Sequence, residues 1–348
     1  MSVFEHSEFD GHEHVAFYQD KTSGLKAIIA VHNSNLGSAL GGCRMWPYAN
    51  DEEALRDVLR LSKGMTYKAA MAGLKQGGGK AVIIGDPRTE KTSDKLLAMG
   101  KFIDSLSGKY ISAEDSGLTV DDLKLMGGQT EHVSGIYGKY HINSEPADGN
   151  PAPSTAYGVL VGLKTTVKHA MNSELKGVKI AIQGLGHVGM RLAKHLFKQG
   201  AILYVSDIHP ENIENAVSEF SAIAVSPQNI YDLDVDVFAP CAMGAILDSN
   251  NIARLKVKVI AGAANNQLAR EEFGQLLADK GILYAPDYVI NAGGIIDIYH
   301  QSIISSDKGL RDHIEKISDT LLEIYRSAQL QGIATNIVAN QIAEERFG

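Results

Sequence analysis

Lys179 to Leu196, KIAIQGLGHVGMRLAKHL, is the stretch that decides the fold. Lys179 to Gln183 reads as a strand, Gly184, Gly186 and Gly189 follow at GxGxxG spacing, and Val188, Leu192 and Leu196 then share one helical face. Each glycine answers a separate need. Gly184 permits the tight turn, Gly186 lets a pyrophosphate approach the backbone N–H groups at His187 and Val188, and Gly189 lets the helix pack on the strand. The next strand, ILYVSD, ends at Asp207. An acid there accepts hydrogen bonds from an adenosine ribose and repels a 2'-phosphate, so the expected cofactor is NAD rather than NADP. A glycine-rich turn alone would not bring strand, helix, second strand and acid together.

Towards the C-terminus the alternation persists. Residues 235–240, 257–264 and 281–287 are strand candidates, each ending in small residues. Cys241 and Ala242, Ala263 and Asn265, and Asn291 would then rim a cofactor cleft at the carboxyl ends of the strands. Cys241 has no base near it in sequence and reads as a small packed residue rather than a nucleophile. Ile314, Ile317, Leu321 and Ile324 mark a helix, and a last helix from Thr335 to Glu345 should pack back over the domain junction. Towards the N-terminus, Tyr157 to Ala170 reads as a helix, and the segment from Gly135 to Pro153, rich in Gly, Pro, Asn and Asp, as the junction itself. The expected division is 1–148 with 331–348 for one domain and 149–330 for a Rossmann-type NAD-binding domain.

The first domain is read from Met65 to Asp86, MTYKAAMAGLKQGGGKAVIIGD. Lys68 and Lys80 flank Gly77-Gly78-Gly79, read as a turn whose glycines admit a ligand and positive φ. Lys80, feeding a buried strand, would be desolvated and usable as a base; Lys68 would keep its charge and hold a carboxylate. The alternative is a pair of solvated surface lysines. Around them, residues 15–18 and 25–31 suggest an edge hairpin, residues 36–48 a glycine-bearing loop, residues 51–61 and 95–106 helices, and residues 110–113 a strand. Asp115 follows that strand, where ligands of α/β sheets gather, and is an acid/base candidate; its alternative is a helix N-cap. His132 and the other histidines show no ligand spacing, and no metal site is expected.

Composition agrees with a globular α/β enzyme. The chain has 348 residues, 44% of them hydrophobic, and a net charge of -8, which offers no basic footprint for nucleic acid or an anionic membrane. Two cysteines, Cys43 and Cys241, suggest neither a disulfide framework nor zinc. The acidic, polar start and the lack of any apolar run near about 18 residues lead to the expectation of a soluble cytoplasmic protein acting on a small molecule.

Met65-Thr66-Tyr67-Lys68, Gly77 to Lys80, Ala113-Glu114-Asp115, Thr155 to Gly158, Gln183 to Gly189, Phe238 to Gly244, Ala261 to Asn266 and Tyr284 to Gly294 together resemble the leucine, valine and phenylalanine dehydrogenases, relatives of glutamate dehydrogenase. The resemblance covers nearly the whole chain. It implies a substrate domain and an NAD domain with the active site between them, a homo-oligomer, and reversible NAD-dependent oxidative deamination of an L-amino acid to a 2-oxo acid and ammonia. By the same resemblance Lys68 binds the substrate carboxylate, Lys80 is the catalytic base, Asp115 works with it, and Thr155 and Asn265 lie near the nicotinamide amide or the substrate amino group. Leu40, Gly41, Met65, Ala113, Ile295 and Ile298 correspond to the substrate pocket. The family's glutamate enzymes carry a lysine and a serine where this chain has Leu40 and Ile298, so glutamate would find no partner for its side-chain carboxylate. Leucine, valine and isoleucine are expected, with phenylalanine the runner-up. A catalytically silent NAD-binding regulator is the competing class, and the joint presence of Lys68, Lys80 and Asp115 speaks against it. Ser116, Leu118, Cys43 and Asp297 depart from the family's usual residues.

Overall fold

Strand and helix alternate along the chain and lay down two sheets. The computed structural model describes residues 3–142, 145, 149–242 and 244–348. Met243, and residues 143, 144 and 146–148 of the expected junction, lie outside that set. The first sheet is built from β1 (His14–Asp20), β2 (Leu25–Asn33), β3 (Ala39–Trp46), β4 (Gly77–Ile84) and β5 (Tyr110–Glu114), in the order β1-β2-β4-β3-β5. The β1–β2 hairpin sits at the edge, with β2 antiparallel to β4, whereas β4, β3 and β5 are parallel.

Two expectations are corrected here. Residues 36–48 are not a loop, because Ala39–Trp46 is β3, paired on both sides. Nor do Gly77, Gly78 and Gly79 form a turn; they open β4, and none of them has positive φ. What they supply is absent volume. A Cβ on Gly78 would stand 2.0 Å from the Thr66 backbone N, and one on Gly41 would stand 1.7 Å from the Gly79 carbonyl O. Only glycine lets helix α1 (Asp51–Met71) and strand β3 approach β4 so closely. Helix α1, capped by Asn50 accepting from Glu53 N at 2.9 Å, runs ten residues beyond the expected end and so carries both Met65 and Lys68.

Helices α2 (Ser93–Asp104) and α3 (Val120–Met126) cover the other face of this sheet, and α4 (Ala152–Met171) leads to the second one. There β6 (Lys179–Gln183), α5 (His187–Lys198), β7 (Ile202–Ser206), α6 (Pro210–Phe220), β8 (Ile223–Ala224), β9 (Val237–Pro240), α7 (Ser249–Arg254), β10 (Val259–Ile260), α8 (Phe273–Asp279) and β11 (Leu283–Tyr284) follow in turn. The strand order is β11-β10-β9-β6-β7-β8, all parallel. The chain leaves β6 towards β7 and later returns to its other side at β9, so the carboxyl end of β6 is a switch point with a crevice. After it come α9 (Asp287–Ile290), α10 (Gly293–Ser302), α11 (Asp307–Glu315), α12 (Ile317–Gln331) and α13 (Thr335–Phe347).

Helix α13 lies on α1. Tyr67 donates to Glu344 Oε1 at 2.7 Å, Arg346 donates to the Met71 carbonyl at 3.2 Å, and Phe347 packs edge-on to Tyr67. One apolar cluster runs from Leu40 and Tyr67 through Val159 and Leu163 to Ile180, Val205 and Leu321, joining both sheets.

Candidate active site

Alternation along β4 decides which way its lysine points. Ala81 and Ile83 join the cluster beneath α2, while Val82 joins the one beneath α1, so Lys80 shares the α1 face with Val82. On β3, Arg44 pairs with Val82, so Gly42 and Arg44 present the same face as Lys80, and a Cβ on Gly42 would lie 2.7 Å from Asp115 Cβ and 3.2 Å from Lys80 Nζ. The missing side chain is the space the pair occupies.

Lys80, 6% exposed, donates a hydrogen bond to Asp115 Oδ2. Arg44 Nε donates to the same oxygen at 3.1 Å. Burial alone would push the Asp115 carboxyl up, but Lys80 and then Arg44 outweigh it and hold the group well below the usual carboxylate range. Asp115 does not cap the following helix; Thr119 does, in a capping box with Asp122.

Lys68, on the last turn of α1, is half-buried. Its ammonium donates to Asn265 Oδ1 at 3.1 Å, and Asn291 Nδ2 donates to that oxygen at 2.8 Å and to the Ala263 carbonyl at 3.1 Å. The protein around it pushes the amine down to about 8, against the pull of Asp287 and Asp115. Desolvation thus loosens its proton without discharging the amine at neutral pH.

Between the sheets is a cleft of about 330 Å³ lined by Asp115, Thr155, Val188 and Ile298, with Glu114 and Leu118 beside them. Leu40, Ala113 and Ile295 are buried, and Met65 and Ile298 partly buried, in the apolar cluster that joins the sheets. Gly41 backs onto Gly79, and its carbonyl accepts from Tyr110 at 2.7 Å. A larger groove of about 770 Å³ at the β11 edge holds none of these groups.

On the nucleotide side, Gly184 has φ +97 and faces Ala242, and Gly189 lies so close to the Gly184 carbonyl that a Cβ would stand 2.0 Å from it. A Cβ on Gly186 would meet nothing within 4 Å, and α5, which starts at His187, has no side-chain cap. Free N–H groups therefore open onto space, as a bound diphosphate requires. Asp207 accepts from Leu185 N at 2.5 Å and His209 N at 2.8 Å, which fixes its carboxylate at the end of β7. Asn291 Oδ1 is buried with no partner among the described residues, a vacancy suited to an amide donor. Cys241 is packed against Gly189, and burial pushes its thiol up to about 12. These residues fit a nicotinamide dinucleotide.

A Glu/Leu/Phe/Val dehydrogenase dimerisation-domain model matches residues 12–132, and a glutamate/leucine/phenylalanine/valine dehydrogenase model matches residues 208–344. The chain belongs to this dehydrogenase family. It is 48% identical to the leucine dehydrogenase of Thermoactinomyces intermedius over 348 residues, covering 100% of this chain and 94% of that one. It is 44% identical to the phenylalanine dehydrogenase of Caldalkalibacillus thermarum over 353 residues, at 100% and 94% coverage. The crystal structure of L-tryptophan dehydrogenase from Nostoc punctiforme superposes with a TM-score of 0.84 at 46% identity, covering 97% of this chain and 96% of that one. The protein is an amino-acid dehydrogenase, and its relatives include enzymes named for aliphatic and for aromatic substrates.

Sequence reading missed Arg44, Asp57 and Tyr48 in this dehydrogenase. Arg44 Nη1 donates to Asp57 Oδ2 at 2.9 Å, and Tyr48 donates to the same oxygen at 2.7 Å. The signal was present: had Gly41-Gly42 been read as strand, alternation would have put Arg44 beside Lys80. Among the departures, Ser116 accepts Met45 N at 3.0 Å through its carbonyl, Leu118 is buried, and Asp297, instead of reaching the cleft, accepts from Ser154 at 2.5 Å and Gln301 at 3.1 Å.

Proposed function

We propose that this dehydrogenase catalyses the reversible NAD-dependent oxidative deamination of an aliphatic L-amino acid, leucine, valine or isoleucine, to its 2-oxo acid and ammonia. The observation that carries the reading is the buried Lys80–Asp115 pair set beside the cleft that Thr155, Val188 and Ile298 line. Lys68 takes the substrate carboxylate in exchange for Asn265. Lys80 removes a proton from the substrate ammonium and later from the water that adds at Cα, and Asp115 steadies the lysine in both protonation states. Gly184, Gly186, His187, Val188 and Gly189 hold the diphosphate, Asp207 the ribose, and Thr155, Cys241, Ala242, Ala263, Asn265 and Asn291 the nicotinamide end. When bound, NAD supplies the hydride acceptor. Closing the cleft excludes water while the Cα–H bond breaks.

Leu40, Gly41, Met65, Ala113, Ile295 and Ile298 form the side-chain pocket in this reading; their apolar character supports an aliphatic substrate, and discrimination by a methylene or two is worth only about 1 to 3 kcal/mol. The carboxylate of Asp207, held by two backbone N–H groups at the end of β7, supports NAD over NADP. Residues 1–148 and 331–348 form the substrate domain and 149–330 the nucleotide domain, the contacts of α13 with α1 supporting the return. The dimerisation-domain match supports a homo-oligomer, and the two free cysteines are consistent with a cytoplasmic setting. Among the described residues no helix is long and apolar enough to cross a membrane.

Steady-state turnover with leucine, valine, isoleucine, phenylalanine and tryptophan, each with NAD and NADP, tests this. The aliphatic three with NAD should give the highest kcat/KM. A preference for either aromatic substrate would reverse the specificity assignment, and no turnover with any of the five would favour a silent NAD-binding protein.

A further inference from the structure

We propose that Arg44 is the positioning residue of the active site: seated between Asp57 of α1 and Asp115 beyond β5, it fixes the carboxylate against which Lys80 works. This rests on the roles given above to Lys80 and Asp115.

The argument starts from one oxygen. Asp115 Oδ2 accepts from Lys80 and from Arg44 Nε at once, so a single carboxylate oxygen is shared by two cations from adjacent strands. Arg44 cannot follow the lysine. Its Nη1 is tied to Asp57 Oδ2 at 2.9 Å, and Asp57 is itself held by Tyr48 at 2.7 Å and by Arg60 at 3.2 Å. A planar guanidinium with two of its nitrogens bound to different carboxylates has one orientation, whereas the lysine's flexible stem has several. The fixed cation therefore holds Asp115 still while Lys80 swings between its carboxylate and the substrate. Other charged or titratable groups around Asp115 are Lys68 from α1, buried Cys43 from β3, and Glu114 and Tyr110 from its own strand. Among the described residues none of these groups hydrogen-bonds its carboxylate, so Arg44 is the counter-charge that stays when the lysine moves.

Arg44 should act through Asp115 and not through the fold alone. The test is steady-state turnover of L-leucine with NAD as a function of pH for the wild-type enzyme and for Arg44→Gln, Arg44→Lys, Asp57→Asn, Asp115→Asn and the double variant Arg44→Gln/Asp115→Asn. Arg44→Gln should lower kcat roughly tenfold or more with KM changed much less, and move the acid limb of the kcat profile to higher pH by about half a unit or more, because losing the fixed positive charge beside the Lys80–Asp115 pair favours the pair's protonated form. Asp57→Asn, which keeps the shape and frees the arginine, should shift the limb the same way by less. Arg44→Lys should recover part of the loss. In the Asp115→Asn background, removing Arg44 should cost less than about twofold more. An unmoved acid limb in both Arg44→Gln and Asp57→Asn, or full additivity in the double variant, would overturn the proposal while leaving the roles of Lys80 and Asp115 standing. Full turnover by Asp115→Asn would instead overturn those roles, whatever Arg44 does.

Discussion

Lys68 and Lys80 are separated by what surrounds each, not by their chemistry. Lys80 has a carboxylate at its ammonium; Lys68 has an amide oxygen and desolvation. In the proposed mechanism Lys80→Ala should lower kcat by about two to four orders of magnitude, with NADH affinity, followed by fluorescence titration, essentially unchanged. Lys68 carries a pH signature. Its amine is pushed down to about 8, so it is charged below that pH and increasingly neutral above it. Binding of a 2-oxo acid, whose own carboxylate stays ionised throughout, should accordingly weaken as pH climbs past 8. Lys68→Arg should flatten that dependence, since a guanidinium keeps its charge; a calorimetric titration from pH 7 to 10 checks both. At this scale the sequence was informative about which residues carry charge into the site. It was poor on how their neighbours tune them, because the partner of Lys68 is Asn265, itself held by Asn291, both far along the chain.

At the scale of elements, the glycines repay separate treatment. Gly186 faces open space and Gly189 faces a carbonyl, so the same substitution should have opposite consequences. Gly186→Ala should leave the denaturation midpoint nearly unchanged and raise the apparent KM for NAD. Gly189→Ala should destabilise the fold by about 1 to 3 kcal/mol through overpacking, seen as a lower midpoint in urea. In the first sheet, Gly78→Ala should behave like Gly189→Ala, because its Cβ would meet the Thr66 backbone. The strand-glycine-helix reading of residues 179–196 held because β6, the glycine turn and α5 follow one another in the chain. Gly41-Gly42 and Gly77-Gly78-Gly79 misled because glycine is rare inside strands, and what requires it there, close approach of backbone from α1 and β3, is a tertiary fact.

For the whole molecule, the cleft is where specificity and closure meet. Ile298, on α10, borders the cleft and lies 3.6 Å from the place a side chain on Gly135 would take, so it fills one wall. Ile298→Ala should raise kcat/KM for phenylalanine relative to leucine by about tenfold, measured with the two substrates in parallel. The alternation of strand and helix and the family were legible from the chain, whereas the reversal of strand order at β6 is a fact of sheet pairing. The return of α13 to α1 was anticipated only as a direction, since its contacts, Tyr67 with Glu344 and Arg346 with Met71, join residues nearly three hundred positions apart.

The strand carrying Lys80 has no side chain on its first three residues, and its neighbours rest directly on its backbone. Such a seam has no slack for repacking, so the spacing of the two lysines is inherited rather than adjustable. Diversification towards bulkier or smaller substrates must then proceed by resurfacing the opposite lobe, which suggests that directed libraries should leave β3 and β4 untouched and randomise α10.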